Sequence, residues 1–403
     1  MNPSASDWIP KFLNHFGKEK LITPYNSENE FYCAMRTTGF VYGVSAAANV
    51  KEKVSSLQLT KEEFTKVNLF HTLLFTYTSL HEEEDISMAI PAMVSFYKKL
   101  EKGKSGFFKK LSLTNSPTAN LERILSARLQ ETNSSLKKNS TTLLTYALLY
   151  IDVFAFKNWL KTPSSVKQFA QDFENTVISC CILALKSKKK KKKYDNLLIE
   201  LFESSSEYLS EASSSKLPSV KAMGTLSALT YLEKKYLIDI CAIAVWDDRE
   251  MDEDEFDFLQ QLVNTMGLQL EVLSESLQAL KDFSEKHTQH ITLFEYSNPV
   301  KQFYKQNAST VKLLILRNKN RLILELEESG ELLVLLTHST VRDLSPEEKN
   351  KVKEQLLDIC KTIPSLTIFL LPGGAVLLPL LVKFIPKLLP SAFNENRIDN
   401  KKP

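Results

Sequence analysis

The segment Ile363–Val382 reads IPSLTIFLLPGGAVLLPLLV, and KFIPKLLPSAF follows it directly. This apolar run contains no charged side chain and is about long enough to cross a bilayer as a helix. A helix in a soluble core rarely tolerates many breakers, since each interior proline costs roughly 3 kcal/mol; lipid-embedded helices accept them where neighbouring groups satisfy the freed backbone. The breakers are Pro364, Pro372, Gly373, Gly374 and Pro379. The apolar run therefore predicts a proline-bent membrane helix, with an irregular anchor or a hairpin folded at the glycine pair as alternatives.

The prolines of this region are evenly phased. Pro372, Pro379 and Pro386 lie seven residues apart, so in one continuous helix they fall on nearly the same face. Each proline removes the hydrogen bond to the carbonyl four residues earlier, and kinks of one phase bend a helix in one direction. Carbonyls freed at membrane depth can coordinate cations or water. The phasing predicts a curved span whose freed carbonyls have either a ligand-binding or a purely structural role.

The apolar run and its flanks resemble a known family. LSPEE from Leu344, then KVKEQLLDICKTIP and FLLPGGAVLLPLLVKFIPKLLPSAF, is similar to the membrane-flanking core of the LETM family. These are the leucine-zipper/EF-hand-containing transmembrane proteins of the mitochondrial inner membrane and their bacterial relatives. The residues of this membrane motif are Pro364, Pro372, Gly373, Gly374, Leu377, Leu378, Pro379, Lys383, Pro386, Pro390, Ser391 and Phe393.

The resemblance implies two kinds of function. One is potassium or calcium exchange against protons, and the other is ribosome binding through a domain that follows the motif. Ala375 stands where family members commonly carry an acidic residue, so we do not expect a carboxylate ion relay inside the span. The sequence ends at Pro403, so we expect it to lack most of the ribosome-binding domain, the EF-hands and the coiled coil.

Composition favours an all-α, multi-helical chain. Glycine is scarce, at 10 of 403 residues, whereas β-sandwiches and Rossmann sheets need glycine-rich turns. The net charge of +3 gives no general case for nucleic-acid binding, and we expect no DNA partner. The five cysteines show no framework spacing, and no nucleophile or zinc-protease motif occurs. No secretion signal is evident at the N-terminus. We expect a non-enzymatic protein, mostly cytoplasmic, with its C-terminal segment at a bacterial inner membrane.

The helical pattern divides into three regions, namely an N-terminal region 1–135, a central domain 141–290 and the LETM-like region 298–403. The central domain is similar to the TerB-like tellurite-resistance domain, an all-helical module, because an acidic turn separates two of its helices. The acidic residues of that turn are Asp247, Asp248, Asp252 and Glu255. By resemblance they could hold a divalent cation; otherwise no cofactor is expected. Asp252 and Glu255 also have the spacing of a helix capping box, which explains two of the four acids without a metal.

Three further segments have alternative interpretations. Residues 141–160 predict a buried soluble helix rather than a span, because they contain Asp152. The six lysines Lys188–Lys193 predict a solvated loop or helix end, with attraction to anionic lipid or RNA as the alternative. The leucine-rich residues 311–337 favour helix over a strand meander, since leucine outnumbers valine and isoleucine.

Two functional hypotheses follow. The first is a membrane-associated protein of cation or proton homeostasis in the bacterial envelope, which contacts lipid through the apolar run. The second is a peripheral scaffold, envelope- or biofilm-associated, that docks on a ribosome or a protein partner without transporting ions. The sequence does not specify an oligomeric state.

Overall fold

The computed structural model of the chain describes residues 1–56, 59–100, 114–129, 146–163, 165–191, 193–209, 225–246, 251–287, 308–309, 311–363, 366, 369, 377–390 and 393. Within these residues every regular element is a helix. The predicted all-α class is therefore confirmed.

The described helices are numbered in chain order. The first seven are α1 Trp8–Leu21, α2 Glu28–Thr37, α3 Lys61–Leu80, α4 Ala89–Leu100, α5 Pro117–Arg128, α6 Tyr150–Lys161 and α7 Val166–Ser187, with a 3-10 turn at Ile86–Met88. The central ones are α8 Lys193–Leu209, α9 Thr225–Ala228, α10 Tyr231–Val245, α11 Glu253–Thr265 and α12 Leu270–His287. The last four are α13 Lys319–Glu328, α14 Gly330–His338, α15 Pro346–Thr362 and α16 Leu378–Leu388, and residues 311–317 are also helical.

Helix α3 forms the core of the N-terminal region. It begins at a capping box in which Thr60 and Glu63 exchange side-chain-to-backbone hydrogen bonds of 3.2 and 2.8 Å. It is buried along nearly its whole length, and its buried residues include the polar side chains of Lys66, Asn68 and His71. Phe70 of α3 receives the edges of Trp8 and Phe12 from α1, with ring centroids 5.5 and 5.9 Å away. These contacts fix α1 against α3.

Helix α7 lies at the centre of the molecule, where it packs against α6, α8, α10 and α11. The buried face of α10 carries Tyr236, whose hydroxyl donates to the Ala147 carbonyl at 2.6 Å. Its ring stacks on Tyr150 of α6 at 5.7 Å between centroids. Aromatic contacts of this kind add specificity to apolar burial, so α6, α7 and α10 form one packed unit.

The predicted burial of Asp152 in a helix is confirmed, although this helix begins at Tyr150 and residues 141–145 of the predicted segment lie outside the described residues. Asp152 is the acidic residue of α6 and has no exposed surface. The Arg128 guanidinium donates to both of its oxygens at 2.8 and 3.0 Å, and the Tyr97 hydroxyl donates at 3.2 Å. A buried carboxylate with these partners is satisfied within the fold.

Contacts cross the boundary that the sequence suggested between its first two regions. The Tyr32 hydroxyl on α2 donates to Asp239 on α10 at 2.6 Å, and Lys157 on α6 pairs with Glu28 on α2 at 2.5 Å. Both pairs join residues more than a hundred positions apart. The division into 1–135, 141–290 and 298–403 itself stays a prediction.

Residues 311–338 are helical, as preferred over the strand meander. Helix α15 begins at a capping box formed by Ser345 and Glu348. Ser345 Oγ accepts from the Glu348 N–H at 3.3 Å, while the Glu348 carboxylate accepts from the Ser345 N–H at 2.8 Å. Pro346 occupies the first turn, where its missing N–H leaves no hydrogen bond unmade.

The expectation of one continuous helix bent at successive prolines is wrong at Pro379. Helix α16 begins at Leu378, so Pro379 lies in its first turn and does not interrupt a hydrogen-bonded ladder. Pro386 is the proline inside α16. Pro372 lies outside the described residues, and its predicted kink is not tested.

Candidate functional site

An open groove lies between α16, α8 and the turn that precedes α15. Its volume is about 550 Å³. Helix α16 packs against α8 and α14, and α14 packs against α15. The groove therefore follows the interface between the LETM-like region and the central helices. The walls contain both charged and apolar side chains; the charged ones are Glu200, Glu203, Arg342, Asp343, Lys349, Lys383 and Lys387.

The amphipathic pattern of α16 decides which motif residues face the groove. Its apolar residues turn inward and are buried; they are Leu378, Leu380, Leu381, Val382, Phe384 and Ile385. Its outward side carries Pro379 and Lys383, which are half-buried, and Lys387, which is exposed. These three are four residues apart, so they form one stripe along the helix. The stripe of Pro379, Lys383 and Lys387 lines the groove, and we call it the proline–lysine stripe.

Opposite charges face each other across the groove. Lys383 Nζ lies 3.7 Å from Glu200 on α8, and both side chains are more than one-third exposed. Glu203, also on α8, pairs instead with Lys186 at 2.5 Å. Exposed pairs of this kind contribute between zero and about 1 kcal/mol. Lys383 is therefore held loosely, and an anionic partner could replace Glu200 at little cost.

The third side of the groove is ordered by an ion pair. Arg342 donates to both oxygens of Glu348 at 2.7 and 2.5 Å, and it also donates to the Asp343 carbonyl at 2.9 Å. This hydrogen bonding to Arg342 lowers the pKa of the Glu348 carboxyl to about 2. Because Glu348 also caps α15, the Arg342 pair fixes the turn at the start of the LETM-like segment.

The structure describes about half of the motif residues. Leu377 and Leu378 are buried, Phe393 is half-buried against the core, and Pro390 is exposed. With Pro379, Lys383 and Pro386 they form the described part of the motif. The other members, Pro364, Pro372, Gly373, Gly374 and Ser391, lie outside the described residues.

The described members of the apolar run are packed inside the protein. Besides the inward residues of α16, Ile363, Leu366, Phe369 and Leu377 are each 1% exposed or less. In the part of the chain that the structure describes, no helix combines the length and the apolar character needed to cross a membrane. The run's other residues, 364–365, 367–368 and 370–376, are not described, so its membrane role stays a prediction.

The acidic turn is only partly described, since Asp247 and Asp248 lie outside the described residues. Asp252 and Glu255 form the predicted capping box of α11, with hydrogen bonds of 2.9 and 3.0 Å. Glu255 also lies 4.0 Å from the Lys188 ammonium. No group of three or more metal-ligating side chains is arranged around a common point among the described residues. The proposed divalent-cation site stays a prediction, and two of its four acids have structural partners.

The expectation that the whole lysine run is solvated is wrong for Lys188. Its side chain is 3% exposed and pairs with the fully buried Asp195 at 3.3 Å. Helix α7 ends at Ser187, and the chain turns Lys188 inward before α8 begins. A buried lysine needs a carboxylate partner, and Asp195 in the first turn of α8 supplies it. Lys189, Lys190 and Lys191 lie on the exposed side of this turn or close to it.

Sequence reasoning missed a buried charged network between α2, α10 and α12. Asp239, fully buried, accepts hydrogen bonds from Tyr32 at 2.6 Å, from Arg36 at 3.2 Å and from Ser276. Arg36 also donates to Glu275 at 2.6 Å. Burial raises the pKa of the Asp239 carboxyl, and the Arg36 guanidinium opposes that shift. The only signal was an isolated acid within the apolar stretch of α10.

The network extends through a buried lysine. Lys235, one turn before Asp239, donates to Glu275 at 2.9 Å, to Asn29 at 3.0 Å and to the Cys33 sulfur at 3.3 Å. Partial burial alone would raise the pKa of Glu275, but Lys235 and Arg36 lower it below its ordinary value. Partial burial raises the pKa of the Cys33 thiol. Every charge in the cluster has a partner, which indicates a structural joint between the helices.

Comparison with known proteins supports the C-terminal assignment. A family model described as LETM1-like, RBD matches residues 344–403. No curated protein and no solved structure matches the chain. The similarity of the central region to a TerB-like domain stays a prediction. The LETM resemblance inferred from Leu344 onward is confirmed, and residues 344–403 form a LETM1-like region.

Proposed function

We propose that this chain is a non-enzymatic docking protein that uses its LETM1-like region to bind the ribosome, without transporting ions. One observation carries the proposal. Helix α16 uses its apolar residues to pack within the protein and directs Lys383 and Lys387 outward beside the groove. Motif residues that face solvent are available to a partner, whereas those in the core serve the fold.

The choice of the ribosome rests on two further points. The sequence resemblance implied ribosome binding for the LETM family, and the matching family model carries the description RBD. We expected that domain to follow the motif, but the match begins at Leu344 and includes the motif itself. Lysines on a groove wall suit the phosphate backbone of RNA, because binding releases condensed counterions.

The test removes the two lysines of the proline–lysine stripe. Lys383→Gln with Lys387→Gln should weaken co-sedimentation with bacterial ribosomes by about tenfold. The slope of log affinity against log salt concentration should also decrease by the amount expected for the loss of about two phosphate contacts. The matched control is Lys281→Gln with Lys286→Gln, which removes two exposed lysines from α12 and should bind as the parent does. Absence of ribosome binding by the parent, or equal losses in both double variants, would rule the proposal out.

A second candidate is a membrane-associated protein of cation or proton homeostasis at the bacterial inner membrane. The observation that favours it is the uncharged run Ile363–Val382, which is about as long as a bilayer span. Membrane fractions washed with carbonate distinguish the two candidates. Retention of the chain, together with dye-reported cation flux in reconstituted liposomes, would support this candidate; release by carbonate would leave peripheral docking.

A further inference from the structure

The helical segment 311–328, which precedes α14, exposes leucine side chains together with basic side chains. Residues 311–317 and α13 are nearly continuous, since the Asn318 N–H donates to the Leu314 carbonyl at 3.2 Å and the Leu322 N–H donates to Asn318 at 2.8 Å. One side of this helix is buried. The opposite side presents Leu316 and Leu324, whose exposed fractions are 51% and 60%. The two leucines are eight residues apart, so they lie about two turns from each other along that side.

Basic residues accompany the leucines. Arg317 and Arg321 are exposed one position after Leu316 and Asn320, and Lys319 is exposed between them. The sequence contains no acidic residue between Glu295 and Glu325. Neither Lys319 nor Arg321 forms an ion pair with any described residue. We define the leucine–arginine surface as Leu316, Arg317, Lys319, Arg321 and Leu324.

The chemistry of this surface separates lipid from RNA. Single-stranded RNA and RNA loops are bound by stacking bases on aromatic rings, yet residues 311–343 contain no Phe, Tyr or Trp. Exposed leucines give no advantage against a phosphate backbone. They do against a bilayer, where apolar side chains enter the boundary below the headgroups while arginine and lysine bind anionic phosphates.

Two other apolar side chains of this region are exposed, Val334 on α14 at 51% and Val341 in the turn after α14 at 85%. Lys312, at the start of the helix, lies over the Phe384 ring of α16 at 4.7 Å. This contact attaches the helix that bears the surface to the LETM1-like region.

We propose that the leucine–arginine surface binds the face of an anionic lipid bilayer as a peripheral contact. The leucines enter the interfacial layer, and Arg317, Lys319 and Arg321 lie against the lipid phosphates. The contact does not require the apolar run Ile363–Val382 to leave the protein. It uses residues outside the groove, so it is independent of ribosome docking through the proline–lysine stripe.

The experiment measures partitioning of the full chain onto vesicles of phosphatidylcholine alone, or with phosphatidylglycerol at about one lipid in three. The parent should bind only the anionic vesicles. Lys319→Gln with Arg321→Gln should lower the partition coefficient about thirtyfold, because each basic residue at an anionic surface favours binding about fivefold to sixfold. Leu316→Ser with Leu324→Ser should lower it about tenfold.

Two matched controls complete the design. Lys281→Gln with Lys286→Gln removes the same charge from α12, and Met88→Ser removes an exposed apolar side chain that is 51% accessible. Neither should change partitioning. Circular dichroism should show the same helical content in all variants, and Lys319→Gln with Arg321→Gln should still co-sediment with ribosomes if the ribosome proposal holds.

Three results would overturn the proposal. The parent could bind neutral and anionic vesicles equally or not at all. Binding could persist in both surface variants, which would place the membrane contact elsewhere, in the apolar run or in the lysine run Lys188–Lys193. The control variants could lose as much binding as the surface variants, which would show an effect of net charge only.

Discussion

Replacing Asp239 by asparagine should destabilise the fold through the buried network between α2, α10 and α12. Asparagine keeps the shape of the side chain and removes its negative charge. Arg36, with only 4% of its side chain exposed, then loses the Asp239 half of its pairing. Tyr32 and Ser276 also lose an ionised acceptor. Removing one member of a buried ion pair typically costs 3–5 kcal/mol, because the other charge stays buried.

The structure places the expected cost near the lower end of that range. Glu275 still accepts from the second Arg36 nitrogen at 2.6 Å, and its own side chain is 45% exposed. Glu275 therefore balances the Arg36 charge only in part, because solvent screens a half-exposed carboxylate. We therefore expect about 3 kcal/mol of lost unfolding free energy for Asp239→Asn. Arg36→Met in the same background should recover part of that loss, since no unpaired buried charge remains.

Urea unfolding, followed by circular dichroism at neutral pH, measures both effects as a double-mutant cycle. Asp282→Asn on α12 is the matched control, because Asp282 is exposed and accepts a hydrogen bond from Gln278 one turn earlier; it should stay within about 0.5 kcal/mol of the parent. A loss below about 1 kcal/mol for Asp239→Asn, or a double variant equal to the sum of its singles, would refute the inferred coupling.

Two other residues give tests in the core. Burial lowers the pKa of His71 from 6.5 to about 4, so the unfolded chain binds the proton at a higher pH than the folded one. The free energy of unfolding is therefore unaffected by the titration of His71 above pH 6.5, and it falls by about 3 kcal/mol as the pH drops towards 4. His71→Gln should remove that part of the acid sensitivity in urea titrations at successive pH values, and an unchanged pH profile would contradict it. Leu381→Ala on α16 should cost about 3 kcal/mol by leaving a cavity, whereas Lys387→Ala should be nearly neutral; equal unfolding midpoints would show that α16 is not packed as described.

Features set by a few adjacent residues could be predicted from the sequence. The capping boxes at Ser345 and Asp252 were predictable because each depends on two side chains three positions apart. Gly267 could be placed just after α11, and it adopts φ +67° there, a conformation that glycine enters without a Cβ penalty. The helical choice for residues 311–337 followed from leucine content alone.

Features that depend on distant partners could not be predicted. Asp239 and Arg36 are 203 positions apart, and nothing local indicates that α2 lies against α10. The composition of the run Lys188–Lys193 does not show that Lys188 is the lysine that the chain turns inward. Pro379 would bend a helix only if the helix continued before it, whereas α16 begins at Leu378. A proline at that position begins the helix and does not bend it.

Burial of α16 makes membrane insertion and the described fold alternative states for this helix. Its inward residues, including Leu378 and Ile385, pack at the interfaces with α8 and α14. Moving them into lipid would expose the apolar faces of α8 and α14 to water, at about 25 cal/mol for each Å². It would also separate Lys383 from the wall that carries Glu200, and the groove would cease to exist. Ribosome docking through this groove therefore requires α16 in the packed state, whereas peripheral lipid contact through the leucine–arginine surface is compatible with it.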